Sequence, residues 1–426
     1  MYRTTHPPRP APDPAEYASG AAGDVVTKAR GIHERVIVLD THIDFLPGNL
    51  TGNANYAQRL ETQFNLPKMI EGGLDAMFFI IYVGQTRETQ QADALKFAGY
   101  ERAYGAAIEK FNAVHRFVNT TVPDKMVLAL TPGDVRRVIG EGKKAALMGV
   151  ENGYPMGEEM GRVKEFHDRG ARYISLAHNG HNQLSDSHTG EREGWKWNGL
   201  SPLGSQVIAE MNRLGIMVDV SHASKESMMQ TAALSKAPII ASHSAVRALC
   251  DVSRNIDDAQ LLALKKTGGV IQVVAYGDFV KTRKPDPPER VAALAELRKE
   301  FSLPEPTGPS QRNRLHAALK QMPGDRRAEY ESQLGELDNR LPGDPPASVK
   351  DFIDHIDYAV GFLGIEYVGI ASDFDGGGGI AGWEDASETF NVTLELVRRG
   401  YTEKQIEKLW GGNLLRVMEE VQRIAH

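Results

Sequence analysis

From residue 36 onward, short runs of β-branched and apolar residues alternate with longer stretches of helical periodicity, the pattern of repeated βαβ units on a parallel sheet. Eight such runs can be counted: Val36 to Asp40, Leu74 to Tyr82, Ala145 to Val150, Arg172 to Ala177, Ile216 to Val220, Pro238 to Ala241, Gly269 to Ala275 and Tyr367 to Ala371. Helices are expected between them at Asp134 to Gly140, opened by Thr131 and Pro132, and at Ser201 to Leu214, Ser224 to Ser235, Asp257 to Lys266 and Val349 to Leu363. A long helical stretch at Glu88 to Asn119 and a strand-like piece at Met126 to Ala129 read as decorations. Helices around Ser387 to Arg399 and Glu403 to Ile424 would close an outer ring. The expected fold class is α/β, a (β/α)8 TIM-type barrel.

Two segments break the alternation. The first thirty residues are rich in Pro, Ala and Gly without periodicity, which predicts an N-terminal arm over 1–30 ahead of one barrel domain over 31–426. Residues 281–348 carry Pro-rich, charged sequence (RKPDPPER, LPEPTGPS, LPGDPPAS) around two helical patterns. This is a helical insertion after the seventh strand. It should rise from the face where βα loops build active sites, as a solvated hairpin or as a lid or subunit contact.

Composition narrows the function. With 41% hydrophobic and 25% charged residues, the 426-residue chain has ample material for one large core. A net charge of -7 and a pI near 6.0 leave no basic stripe for nucleic acid, and no apolar stretch is long enough to span a membrane. Small-molecule chemistry is the better expectation, with a homodimer also admitted. The single cysteine, Cys250, excludes an internal disulfide and reads as a small packed residue. The N-terminus lacks the apolar core of a signal peptide, so the chain as written is expected to be cytoplasmic, or periplasmic or secreted if a leader was removed.

The chemistry lies at the strand ends. Alternate residues of a strand share a face, so Asp40, His42 and Asp44 of VIVLDTHID point the same way. The third strand runs into Glu151, the fourth into His178, the fifth into His222, the sixth into His243 and the eighth into Asp373. A lone histidine after a strand is a ligand roughly one time in ten and otherwise a hydrogen-bonded core or loop residue. Imidazoles on three consecutive strands, with carboxylates on three others, are hard to obtain by packing, because buried charges cost several kcal/mol unless paired or metal-bound.

Imidazole and carboxylate without thiolate suit zinc and neighbouring divalent ions. Three histidines and two carboxylates exceed one tetrahedral shell. Two Zn2+ per chain are therefore expected, sharing a carboxylate and a hydroxide, with Glu151 the natural bridge. No strand ends in Lys, so a carbamylated lysine is excluded as the bridge.

These residues resemble the renal (membrane) dipeptidase family, a zinc metallopeptidase branch of the amidohydrolase superfamily. The resemblance runs from about His33 to the last helix through DTHID, GVENG, GLSPLGSQVIAEMNRLGIMVDVSHAS, PIIASHSAVRALCDVSRNIDD, SDFDG and NLLRVMEEV. It implies that His42 and Asp44 hold one zinc, that His222 and His243 hold the other, and that Glu151 bridges both. It further implies that His178 faces the scissile carbonyl oxygen, that Arg254 receives the dipeptide carboxylate and that Asp373 is the catalytic acid-base.

The implied activity is dipeptide hydrolysis by a zinc-bridged hydroxide, and the resemblance permits a D-residue at the C-terminal position. An N-acyl amino acid deacylase or lactam-opening hydrolase could use the same groups, and a metal-binding pseudoenzyme would have lost one of them. The chain departs from the family in Asn152-Gly153 after the glutamate, in its larger insertion and in Phe279, which falls where some relatives carry a substrate-facing tyrosine. His181, His188, Trp195 and Asp375 near the mouth are expected to support the pocket and not to catalyse.

Overall fold

A computed structural model of the protein describes residues 21–85, 93–305, 315, 318–319 and 321–425. Among the described residues there are nine strands: β1 (Leu39–Ile43), β2 (Ala76–Tyr82), β3 (Met126–Leu128), β4 (Lys144–Glu151), β5 (Ala171–Ser175), β6 (Met217–Asp219), β7 (Ile239–Ser244), β8 (Val270–Val274) and β9 (Val368–Ala371). Every ladder is parallel, in the order β1-β2-β4-β5-β6-β7-β8-β9, and β3 pairs on the side with β4. All eight expected barrel strands occur, and the strand-like piece at 126–129 is a ninth strand off the path.

The barrel is nearly closed. Its seam between β1 and β9 is bridged where the Asp44 N–H donates to Phe374 O at 2.9 Å and the Asp373 N–H donates to His42 O at 3.1 Å. The seam thus lies among the polar strand ends. Side chains fill the interior, as the fold requires. Tyr173 reaches across from β5 to β1, and a Cβ on Gly149 would come within 2.2 Å of its ring, so glycine leaves room for the phenol.

Crossover helices form where caps predict them. Thr131, Ser201, Ser224, Asp257 and Ser348 each accept a backbone N–H of the first helical turn, satisfying a donor with no partner inside the helix. The long helix at Asp93–Arg116 runs into a wide turn at Phe117–Thr121. Its expected start at Glu88 lies outside the described residues.

Of the expected arm, residues 1–20 lie outside the described residues, and 21–30 belong to the helix Ala21–Arg35. That helix turns Ala29, Ile32 and His33 inward, and His33 Nδ1 is 2.7 Å from Thr393 Oγ1 on the helix Phe390–Arg398. The i, i+3, i+4 spacing was present in the sequence, but the Pro-rich stretch before it hid the start. The chain then stays helical until the Val36 N–H meets Ile32 O at 3.1 Å, so β1 begins at Leu39, three residues later than the hydrophobic run.

Thr282–Pro346 form a second compact unit, described by itself. Its helices Pro288–Glu300 and Gly324–Arg340 bury Leu294, Leu297 and Phe301 with Tyr330 and Leu337. Arg290 donates to Asp286, Asp338 and Leu341 O, tying the two helices at their base.

Candidate metal centre

The sequence-predicted residues gather at the C-terminal ends of the strands. Glu151 lies at their centre, its two oxygens facing different histidines. Oε1 is 3.1 Å from His222 Nε2, 3.2 Å from His243 Nε2 and 3.9 Å from His178 Nε2, while Oε2 is 3.7 Å from His42 Nε2. Beside His42, Asp44 Oδ2 is 3.4 Å and Asp373 Oδ1 3.9 Å from the same Nε2. Donor atoms of His42–Glu151–His243, of Glu151–His178–His222 and of His42–Asp44–Asp373 each lie within 4.8 Å of one another.

Local backbone makes this convergence possible. β1 extends through His42 and β7 through His243, so both imidazoles are anchored within strands. His222 and Asp373 follow β6 and β9 in the left-handed region, at φ 66° and 61°. Non-glycine residues hold that conformation at a cost, and such strain clusters at functional sites. The glycine tract after Asp373 also has a steric reason: a Cβ on Gly376 would stand 2.3 Å from Asp44 Oδ2 and 2.4 Å from Asp373 Oδ1.

The electrostatics favour a cation. Burial alone would raise the Glu151 carboxyl, but His178, His42 and the hydrogen-bonding imidazoles of His222 and His243 hold it well below the usual carboxylate range. Burial, followed by the positive charge of Arg254 on His222 and of His42 and Arg254 on His243, keeps both imidazoles well below their usual value. His42 goes the other way: Glu151 and Asp44 outweigh its burial and draw a proton to it. Its buried Nε2 nevertheless has no hydrogen-bond partner. An unpaired ring nitrogen between carboxylates, with two more Nε2 atoms 3.0 Å apart nearby, is a donor set that fits divalent cations bound by nitrogen and oxygen.

Arg254 is buried beside this cluster. It donates from one terminal nitrogen to Ser244 Oγ at 2.8 Å and from the other to His243 O at 2.7 Å. Of its five N–H donors, three stay uncommitted in these bonds, including the buried Nε. Burial lowers its guanidinium to about 10, so it remains cationic at neutral pH. Burial, opposed by the charge of Glu151, lowers the His178 imidazole, and Tyr82 OH lies 3.3 Å from its Nδ1.

Other polar residues hold the rim. Asp375 accepts from Tyr56 OH, Gln63 N and Phe64 N, pinning the 56–64 loop. His181 lies 2.9 Å from Asp186, and the half-exposed Trp195 packs edge-on against it. His188 Nδ1 is 2.9 Å from Ser253 Oγ and its Nε2 is 2.9 Å from Asn179 Oδ1. Asn179, Tyr173, Tyr82 and Tyr276 were not singled out in the sequence. Tyr82 ends β2 and Tyr276, whose ring stacks on Phe279 at 4.2 Å, lies just past β8. Extending the strand-end rule from ionisable groups to phenols would have found both.

Comparisons with known proteins bear on the family and the fold. The sequence model of the family described as "Membrane dipeptidase (Peptidase family M19)" matches residues 26–426. The crystal structure of the probable dipeptidase PvdM from Pseudomonas aeruginosa is similar at a TM-score of 0.76 and 34% identity, covering 95% of this chain and all of that one. Dipeptidase aclJ of Aspergillus oryzae is 28% identical over 402 residues, 92% of this chain and 79% of its own. A metallo peptidase from Rhodobacter sphaeroides, liganded with a phosphinate mimic of the dipeptide L-Ala-D-Ala, shares the fold at a TM-score of 0.65 and 21% identity, covering 91% and 99% of the two chains. Among the described residues no helix is long and apolar enough to cross a membrane.

Proposed function

The chain belongs to the membrane dipeptidase family, Peptidase family M19, whose members are metal-dependent hydrolases, and from that premise we propose that it hydrolyses dipeptides at a two-zinc centre. His42 and Asp44 would hold one ion and His222 and His243 the other, with Glu151 between them. The observation that carries this reading is the division of Glu151: one oxygen faces His222 and His243 and the other faces His42. Zinc ions held there would supply Lewis acidity and lower the pKa of a bound water toward neutrality.

The chain's own residues account for the remaining steps. Burial first, then the charges of Asp44 and Glu151 against those of His42 and Arg254, raise the Asp373 carboxyl to about 8, and its Oδ1, 3.9 Å from His42 Nε2, stands at the edge of the ligand cluster, where a general acid-base would have to be. Asp373 is thus suited to take a proton from the attacking water and pass it to the leaving amine. With Tyr82 OH 3.3 Å from its Nδ1 and placed to donate there, His178 would keep Nε2–H to donate to the carbonyl oxygen as charge develops on it. Arg254 supplies a planar donor fork for a carboxylate close to the cut bond, which selects dipeptides over longer chains.

The reading is tested by metal analysis of the purified protein together with turnover of a dipeptide panel carrying L- or D-residues at the C-terminal position. Two zinc ions per chain, activity lost on chelation and restored by Zn2+, and hydrolysis of both chiralities are the expected results. Activity that survives chelation would sink the metal mechanism. Faster cleavage of N-acyl amino acids or lactams than of any dipeptide would move the substrate class.

A further inference from the structure

The hydrogen-bonding oxygens behind the histidines differ in type but share one property: each already has its own proton committed, or has none to give. The Asp219 carboxylate ends β6, fully buried, and its Oδ1 accepts two backbone N–H groups, from Ser221 at 3.0 Å and from Ser242 at 2.9 Å. Its Oδ2 accepts the Ser242 hydroxyl proton at 2.6 Å. The Ser242 oxygen then faces His243 Nδ1 at 2.8 Å with lone pairs only, so Nδ1 must carry the hydrogen. Tyr173 behaves alike: its hydroxyl donates to Thr41 O at 3.0 Å and stands 3.1 Å from His42 Nδ1. Asn179 Oδ1 lies 3.1 Å from His222 Nδ1 and 2.9 Å from His188 Nε2, and an amide oxygen can accept from both.

We infer that Asp219, through the Ser242 hydroxyl, is a positioning residue that locks His243 in the Nδ1–H tautomer and so keeps its Nε2 lone pair for a metal ion, with Asn179 doing the same for His222 and Tyr173 fixing a hydrogen on Nδ1 of His42. The inference rests on the metal-centre reading above and deepens it. His222 Nε2 and His243 Nε2 stand 3.0 Å apart. With both Nδ1 atoms protonated, two lone pairs converge there, an arrangement that a shared cation relieves.

The polarity of the relay can be reversed without changing its shape. In Asp219→Asn, the two backbone N–H groups keep the amide oxygen at the Oδ1 position, which turns the NH2 group toward Ser242. Ser242 then accepts from the amide and donates to His243 Nδ1, forcing the hydrogen onto Nε2, where it blocks the metal. Loss of an outer partner of a ligand histidine typically costs 10–100-fold in metal affinity. Removing the hydroxyl as well, in Asp219→Asn/Ser242→Ala, takes away the misdirected donor and should recover part of that loss. A purely structural role for Asp219 predicts that the second substitution makes matters worse.

The test measures Zn2+ affinity of the full-length protein by competition with a chromophoric chelator, supported by the visible spectrum of the Co2+-loaded form and by imidazole 15N shifts of the wild-type protein. Asp219→Asn should bind about 10–100-fold more weakly, the double variant more tightly than Asp219→Asn, and His243 of wild type should show hydrogen on Nδ1. Wild-type affinity in Asp219→Asn, or a double variant no tighter than the single, overturns the inference. If Asp219→Asn does not fold, hydrogen on Nε2 of His243 in the metal-stripped wild type overturns it directly. Wild-type protein that takes up no stoichiometric Zn2+ would instead refute the metal centre itself.

Discussion

Replacing Arg254 with methionine should abolish the discrimination between a dipeptide and its C-terminal amide. The side chain is almost fully buried, its charge persists at neutral pH, and three of its donors remain after the bonds to Ser244 and His243. A bidentate carboxylate contact uses two of them. Hydrogen bonds to charged groups contribute about 1.5–3 kcal/mol each, so the pair amounts to about 3–6 kcal/mol. At about 1.4 kcal/mol per factor of ten, kcat/KM for a dipeptide should fall about 10²- to 10⁴-fold. The amide, which never used the full contact, should lose far less.

A structural effect accompanies this one, because His243 O and Ser244 Oγ both lose a donor; Ser244 keeps Ser221 Oγ at 3.0 Å. One buried acceptor left without a partner costs about 1–3 kcal/mol, measurable by urea denaturation. The assay is therefore the ratio of kcat/KM values for acid and amide in each protein, in which a general loss of folded enzyme cancels. A variant that discriminates as strongly as wild type would show that Arg254 does not receive the carboxylate.

Asp373→Asn should retain bound metal and lose about 10²- to 10⁴-fold in kcat; undiminished turnover in metal-replete variant would remove the acid-base role. Gly149→Ala should destabilise by about 1–3 kcal/mol, since the new methyl would overlap a Tyr173 ring held by its bonds to β1, and a change under about 0.5 kcal/mol in denaturant titration would contradict that packing. His188 is lowered to about 3 by burial and then by Arg254. Because its unfolded value is near 6.5, the unfolded chain binds the extra proton first on acidification. The stability it contributes is full above about pH 6.5 and declines toward pH 3, by up to about 1.4 kcal/mol per pH unit. His188→Gln should flatten that slope, and an unchanged slope would place the proton uptake elsewhere.

The sequence alone determined the barrel and the residue types at its mouth, because both depend on local order. Burial of a strand is legible in a run such as AMFFIIY, a helix start in Ser201-Pro202 or Thr131-Pro132, and the facing of Asp40, His42 and Asp44 in the two-residue repeat of extended chain. Local order did less well where two signals overlapped. The helix Ala21–Arg35 follows Pro-rich sequence, and its last turn displaced the start of β1.

What only the tertiary structure decided is which atom of each side chain faces which. Tyr173 lies 131 residues from His42 and Ser242 lies 23 from Asp219, yet both pairs are hydrogen-bonded, the first because Tyr173 reaches across the barrel interior from β5 to β1 and the second because β6 and β7 pair side by side. No periodicity encodes that a serine proton points to a carboxylate and leaves the next imidazole nitrogen its hydrogen. The donor count of the site is a property of composition along the strands, whereas its proton arrangement is a property of the closed barrel.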